Sequence, residues 1–303
     1  MPFIETNDHT RLFYTGGGSG KTIVFVASAW FSSQMWERQM QPLAQHGLRC
    51  IAYDRRGHGR SDCPWEGYDY DTLADDLAAL LRQLDLRDVT LVSHSAGGGE
   101  VVRYLTRHGA ARVERIALVS ATAPFLMKTD DNPDGVDRAL VEADLAIRTA
   151  DRPKWFADNV DGFLGIGLPG VSVSPEFAQF MIRQCLECSA RATAEFFLAG
   201  FTTDLRRELR ALTVPVLIVH GDRDLQAPID ICGRKTAQLI PNNRLIVYEH
   251  AAHGLFHTHA DRLNADLRAF VLNESATGGR ERRVATSAAQ WRAWCEAGVP
   301  PQR

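Results

Sequence analysis

Residues 90–109 read TLVSHSAGGGEVVRYLTRHG, and this stretch decides the fold. Its start, Thr90–Val92, is a short apolar run that reads as a buried strand, and its end, EVVRYLTRHG, reads as a helix. Between them Ser93-His94-Ser95-Ala96-Gly97-Gly98-Gly99 makes a tight turn. A sharp strand-to-helix turn crowds the backbone, so the residues beside its apex must be small. It also lifts the apex side chain, Ser95, into the open, with a helix N-terminus behind it that favours developing negative charge. The pattern is that of a G-x-S-x-G nucleophile elbow, except that Ser93 stands at the first Gly position.

A serine is a weak nucleophile at its free pKa and needs a base. Two later fragments supply candidates. His220-Gly221-Asp222-Arg223-Asp224 follows one apolar run, Val216–Val219, and Glu249-His250-Ala251-Ala252-His253-Gly254 follows the next, Leu245–Tyr248. Both fragments leave a parallel sheet at the same edge as Ser95, where ligands of open α/β sheets bind. The chain order Ser…Asp…His is the one that this elbow uses.

Outward from the elbow, Ile23–Val26, Cys50–Tyr53 and Ile116–Val119 also read as buried strands. TLADDLAALLRQLDL (72–86) has apolar residues at helical spacing, with a capping box expected of Thr72 with Asp75. Strands alternating with helices predict an α/β fold with a mostly parallel central sheet and helices on both faces. The core is expected over 1–123 and 205–272. Between them, 124–204 loses the strands and gathers aromatics, among them Phe125, Trp155, Phe163, Phe196 and Phe197, so it reads as a helical lid over the sheet edge. One helix is expected through FAQFMIRQCLECSARATAEFF (177–197). The polar stretch 273–303 reads as a flexible tail with one short helix around Trp291 and Trp294.

Other features exclude alternatives. Residues 15–22, TGGGSGKT, approach a phosphate-binding loop, but Thr15 stands at the first Gly position and Thr22 leads into a strand instead of a helix. A Gly-rich hairpin turn is expected there. Of 303 residues, 34 are Lys or Arg and 37 are Asp or Glu, a formal charge of −3 with the signs well mixed, which points away from nucleic acid. The mean hydropathy of −0.20, without an apolar run of membrane-spanning length, points away from the membrane. Six scattered cysteines and no export signal suggest reduced thiols and a cytoplasmic protein. Cys185 and Cys188 form a C-x-x-C, but on a helix and without a second pair, so neither redox nor zinc use is expected of them.

The chain resembles the α/β-hydrolase superfamily and, within it, the cofactor-free haloperoxidase, arylesterase and perhydrolase group. The matching stretches are MWERQM, IAYDRRGHGRSD, YDTLADDLAALLRQLDL, SHSAGGGEVVRYLTRHG, VLIVHGDRD with Pro228, and AAHGLFHTHADRLNADLRAF. They run from near residue 10 to near 272. The resemblance implies Ser95 as nucleophile, His253 as general base and Asp224 as the acid that orients it, with Asp222 as the rival for that role. It implies no cofactor and no metal, so His250, His257 and His259 are not expected to ligate zinc.

One departure is marked. Members of the group usually carry His-Gly after the strand ending at Val26, then a residue whose amide helps form the oxyanion hole. Here the text is Ala27-Ser28-Ala29-Trp30, which makes Ala29 and Ala96 the expected donors. Trp30, Phe31, Thr122, Phe125, Phe163 and Gln226 are expected to line the substrate pocket. The expected activity is cleavage of a small apolar or aromatic ester or lactone through an acyl-enzyme, with perhydrolase or haloperoxidase side activity. Two alternatives stay open: a non-hydrolytic enzyme on the same fold, a cofactor-free dioxygenase or C–C lyase, for which Ser93 is the hint, and a ligand-binding receptor. A small molecule is the expected partner, with homo-oligomerisation left open.

Overall fold

A computed structural model describes residues 2–274. From residue 275 onward the expected tail helix, with Trp291 and Trp294, lies outside the described residues. Eight strands form one sheet: β1 (Phe3–Glu5), β2 (Arg11–Gly17), β3 (Thr22–Val26), β4 (Arg49–Tyr53), β5 (Val89–His94), β6 (Val113–Val119), β7 (Val216–Gly221) and β8 (Asn243–Tyr248). Their spatial order is β1-β2-β4-β3-β5-β6-β7-β8. β2 is antiparallel to both its neighbours, and every other pairing is parallel.

The helices are α1 (Glu37–Gln45), α2 (Tyr70–Gln83), α3 (Gly97–His108), α4 (Arg138–Ala150), α5 (Arg152–Leu164), α6 (Pro175–Glu187), α7 (Ala190–Thr202), α8 (Arg206–Arg210), α9 (Gly233–Leu239), α10 (Leu255–Thr258) and α11 (Ala260–Leu272). Alternation along the strands divides the core in two. Val24, Val26, Leu91, Ile116, Leu118 and Ile218 pack against α2 and α3. Ile23, Phe25, Val92, Ala117, Val119 and Val219 pack against α1 and α11. Both faces are buried, which is why these strands read as continuous apolar runs. Among the described residues no helix is long and apolar enough to cross a membrane.

The six strands expected from apolar runs are all present, with one to three residues added at their ends. β1 and β2 escaped the reading. They form the sheet margin, and β2 ends in the exposed Gly16-Gly17, so neither shows a continuous apolar run. The expected hairpin at TGGGSGKT is not one. β2 and β3 do not pair; each borders β4, so the glycine turn passes from one side of β4 to the other. Gly18 and Gly20 have φ of 82° and 96° there.

Two helix expectations also need correction. α2 starts at Tyr70, and its cap is Asp69, whose carboxylate accepts from the Thr72 amide at 3.0 Å. Asp75 instead pairs with Arg107 and His108 on α3, because it faces that helix and not the start of its own. The single helix expected over 177–197 is broken at Cys188-Ser189. Ser189 caps α7 by accepting from the Ala192 amide at 3.0 Å, a local bond that competes with helix continuation. Cys185 lies in α6 and Cys188 at its end, both buried as free thiols.

The elbow glycines answer to packing. A Cβ at Gly97 would lie 2.6 Å from the Ala27 carbonyl oxygen, and one at Gly98 would lie 2.9 Å from Ala121 Cβ. At Gly99 it would overlap the ring of Tyr70, which is locked by a 2.9 Å bond from its hydroxyl to the Ala96 carbonyl. Gly99→Ala is therefore expected to lose about 1–3 kcal/mol through overpacking. Chemical unfolding checks this, and an unchanged midpoint would show that Tyr70 can move aside.

Candidate active site

The chain leaves β5 at His94 and turns at Ser95, whose φ of 54° lies in the left-handed region. For a non-glycine residue this is uncommon and costs energy, which surrounding bonds must hold in place. The Ser95 amide donates to Val119 at 3.0 Å, and its carbonyl accepts from Gly98 at 3.0 Å. Ser93 is tolerated where glycine is usual because it lies within β5, with its hydroxyl donating to the Ala117 carbonyl at 3.3 Å.

Asp224 lies in the loop after β7. Its Oδ1 accepts from the amides of Gln226 and Ala227 at 3.0 and 2.8 Å, and its Oδ2 accepts from His253 Nδ1 at 2.8 Å. Burial by itself would raise this carboxyl, but the charge and hydrogen bond of His253 outweigh it and hold the pKa below the ordinary aspartate value. An ionised Asp224 fixes the proton on Nδ1 and leaves Nε2 as the ring atom for proton exchange. The rival Asp222 is also buried but makes no bond to His253, and its Oδ1 has no hydrogen-bond partner among the described residues.

Neighbours hold His253 from two more sides. Phe163 meets the His253 ring edge to face, centroids 5.2 Å apart. His94, the residue before Ser95, donates from Nε2 to the His253 carbonyl at 2.8 Å. Burial, and the nearby His253, keep the His94 pKa well below the usual histidine range, so it is a neutral tether. Its role was not evident from the sequence.

Ser95 and His253 line one open cavity of about 1310 Å³, mouth included. No hydrogen bond joins them among the described residues, and catalytic bonds of this kind often tighten only around substrate. Ala29 and Ala96 stand on the same wall, and neither amide is used in any hydrogen bond among the described residues. Two free N–H groups beside a nucleophile are what an oxyanion site requires. The loop's left-handed residue is Trp30, at φ 67°, not Ser28, so the missing glycine is compensated one residue beyond the donor.

Arg55, from the IAYDRRGHGRSD stretch, braces this loop. Its Nη2 donates to the Ala27 carbonyl at 2.9 Å and its Nη1 to the Ser28 carbonyl at 3.4 Å. Its Nε donates at 2.8 Å to the buried carboxylate of Glu100 on α3, which Tyr53 also contacts. The Ser28 carbonyl and the Ala29 N–H belong to one trans peptide and point in opposite directions. A guanidinium held behind the carbonyl therefore turns the N–H away from itself.

Of the expected pocket residues, Trp30, Thr122, Phe163 and Gln226 line the cavity. Phe31 and Phe125 do not. Phe31 follows the left-handed Trp30 and lines a smaller neighbouring apolar space with Phe156, Met181 and Ile182. Phe125 is buried against Met127, Val136 and Phe197, under the guanidinium of Arg206. Phe196, Phe197 and Phe201 of α7 and Trp155 of α5 form much of the remaining wall. His257 stacks on Phe177 and His259 packs near Tyr248, so these histidines do not converge.

Residues 23–266 match the family model described as the alpha/beta hydrolase family. The chain is 41% identical over 277 residues to a non-heme chloroperoxidase, CPO-A1, of Kitasatospora aureofaciens, covering 89% of this chain and 99% of the relative. It is 36% identical to a bifunctional esterase/perhydrolase of Acinetobacter calcoaceticus, covering 89% and 99%. Among solved structures it is similar to a bromoperoxidase from Bacillus anthracis, with a TM-score of 0.85 and 36% identity, covering 90% of this chain and 99% of that one.

Proposed function

The chain belongs to the alpha/beta hydrolase family and is an enzyme with hydrolase activity, and from that premise we propose that it cleaves small carboxylic esters or lactones, largely apolar or aromatic, through an acyl-enzyme on Ser95. The observation that carries this reading is a serine held at φ 54° on the wall of the cavity that also holds His253, itself bonded to Asp224.

In this reading Ser95 Oγ attacks the substrate carbonyl carbon while His253 Nε2 takes its proton. The oxyanion rests on the Ala29 and Ala96 amides. The bond to the leaving alcohol breaks as His253 returns the proton to that oxygen. Water then attacks the acyl-enzyme, gives a proton to His253, and releases the acid as Ser95 is reprotonated. Hydrogen peroxide in place of water yields a peracid, which accounts for perhydrolase and haloperoxidase side activity. The aromatic cavity wall suits apolar acyl and alcohol groups.

A fluorophosphonate probe is expected to label Ser95, and a panel of p-nitrophenyl esters and lactones is expected to include turned-over substrates. Failure of both would overturn the reading in favour of direct base chemistry by His253. Ser93, the residue that suggested such chemistry, is buried within β5 and is absent from the cavity wall.

A further inference from the structure

Helix α4 presents an unusual face to the cavity. Among its thirteen residues only Val141 and Arg148 are buried. Arg148 is 3% exposed, whereas its neighbour Ile147 is 49% exposed. Both line the cavity, and a turn of about 100° around the helix axis would bring the isoleucine to the azimuth that the arginine occupies. The opposite arrangement places a guanidinium, which is costly to desolvate, where an apolar side chain would be favourable.

The surroundings of that guanidinium are incomplete. It lies 3.8 Å from the Trp155 ring, 4.0 Å from the Phe197 ring and 4.5 Å from the Trp30 ring. Its Nη2 donates to Asp144 Oδ2 at 2.6 Å, while Nε and Nη1 have no hydrogen-bond partner among the described residues. Asp144 divides its charge, accepting at its other oxygen from Trp155 Nε1 at 2.9 Å. The Asp144 side chain is also 31% exposed, against 3% for Arg148, so water screens the negative partner more than the positive one. Burial lowers the Arg148 pKa to about 10, which leaves it charged at neutral pH.

Arg148 lines the same cavity as Ser95 and His253, and it is the only arginine or lysine on that wall among the described residues. Asp158, also on the wall, is paired with Lys154. Trp30 connects the two ends: it follows the oxyanion donor Ala29 and its ring faces the guanidinium.

We propose that Arg148 is a specificity residue that receives a carboxylate on the substrate, so that the preferred esters or lactones are apolar molecules carrying one acidic group remote from the scissile bond. This rests on the hydrolase reading of the site. The carboxylate fills the unused donor capacity of the guanidinium, and charge-assisted bonds of this kind are among the stronger polar contacts available. The aromatic rings that shield Nε and Nη1 part slightly to admit it, and they exclude water around the pair once it is bound.

The test compares two p-nitrophenyl esters of equal length at pH 7.5, the glutarate monoester with a free carboxylate and the pentanoate without one. The wild-type ratio of kcat/KM, glutarate over pentanoate, is expected to exceed that of Arg148→Met by about ten-fold or more, the size of one charge-assisted contact. Asp144→Asn, which keeps the guanidinium and removes its competitor, is expected to raise the ratio above wild type. Equal ratios in wild type and Arg148→Met, or a fall in Asp144→Asn, would overturn the proposal. Binding of both esters to Ser95→Ala protein, read by quenching of Trp30 and Trp155 fluorescence, gives the same comparison without turnover. If neither ester is hydrolysed by any form of the protein, the hydrolase reading fails, while selective binding of the glutarate ester would still support the Arg148 site. Loss of that selectivity with hydrolysis intact would overturn the Arg148 proposal alone.

Discussion

Ser95→Ala is expected to lower kcat/KM on a p-nitrophenyl ester by about 10⁴-fold or more, the scale seen when a serine nucleophile is removed from a triad. Alanine differs from serine only by the hydroxyl, and both place a Cβ in the left-handed conformation at φ 54°. The fold should therefore survive, with an unfolding midpoint near that of the wild type. Aligned amides and His253 would remain, so a small residual rate from directly activated water is expected. Fluorophosphonate labelling should vanish. A folded Ser95→Ala protein with activity within ten-fold of the wild type would mean that His253 works on substrate directly and that the acyl-enzyme does not form.

The second large effect is expected at Arg55. Deleting one oxyanion donor in a serine hydrolase costs about 10²–10³-fold in kcat. Arg55→Met leaves the Ala29 amide in place but removes the contacts to the Ala27 and Ser28 carbonyls that aim it. A loss of about 10²-fold in kcat with little change in KM is expected, because the oxyanion exists only after attack. The rate of fluorophosphonate labelling should fall with it, since the tetrahedral phosphorus adduct uses the same donors. Stability should fall as well, because Glu100 loses its buried cation. Burial already pushes the Glu100 carboxyl well up, so it would take a proton instead of remaining a bare charge. Arg55→Lys keeps the charge but not the planar fork and should recover the activity only in part. A folded Arg55→Met protein with an unchanged kcat would show that the loop holds its own shape.

Much of this was legible in the chain itself. The parallel strands announced themselves because burial on both faces demands continuous Val, Ile and Leu. The elbow was legible because a strand, three glycines and a helix around Ser95 permit few other backbones. Chain order and their places after consecutive strands marked the fragments 220–224 and 249–254 as candidates, and the family resemblance singled out Asp224 and His253 within them. The weaker readings failed where local patterns compete. Thr72 and Asp69 both suit a helix start, and the distance to Arg107 and His108, not sequence spacing, decided what Asp75 does.

The alternation of apolar runs and the glycines determined the α/β sheet and the turn around Ser95, and the order of polar residues pointed to candidates for an acid and a base. These depend on local rules: the period of a strand, the crowding of a turn, the need of a serine for a base. Only the tertiary structure decided which residues support them. Arg55 reaches Ala27 and Ser28 from 27 residues or more away, His94 reaches the His253 carbonyl across 159, and Arg148 is buried against rings from three separate segments. Nothing in the text around Arg148 distinguishes it from a solvent-facing helix arginine. Its burial is set by which face of α4 meets the cavity, and that depends on how α4 packs against α5, α7 and the loop that carries Trp30.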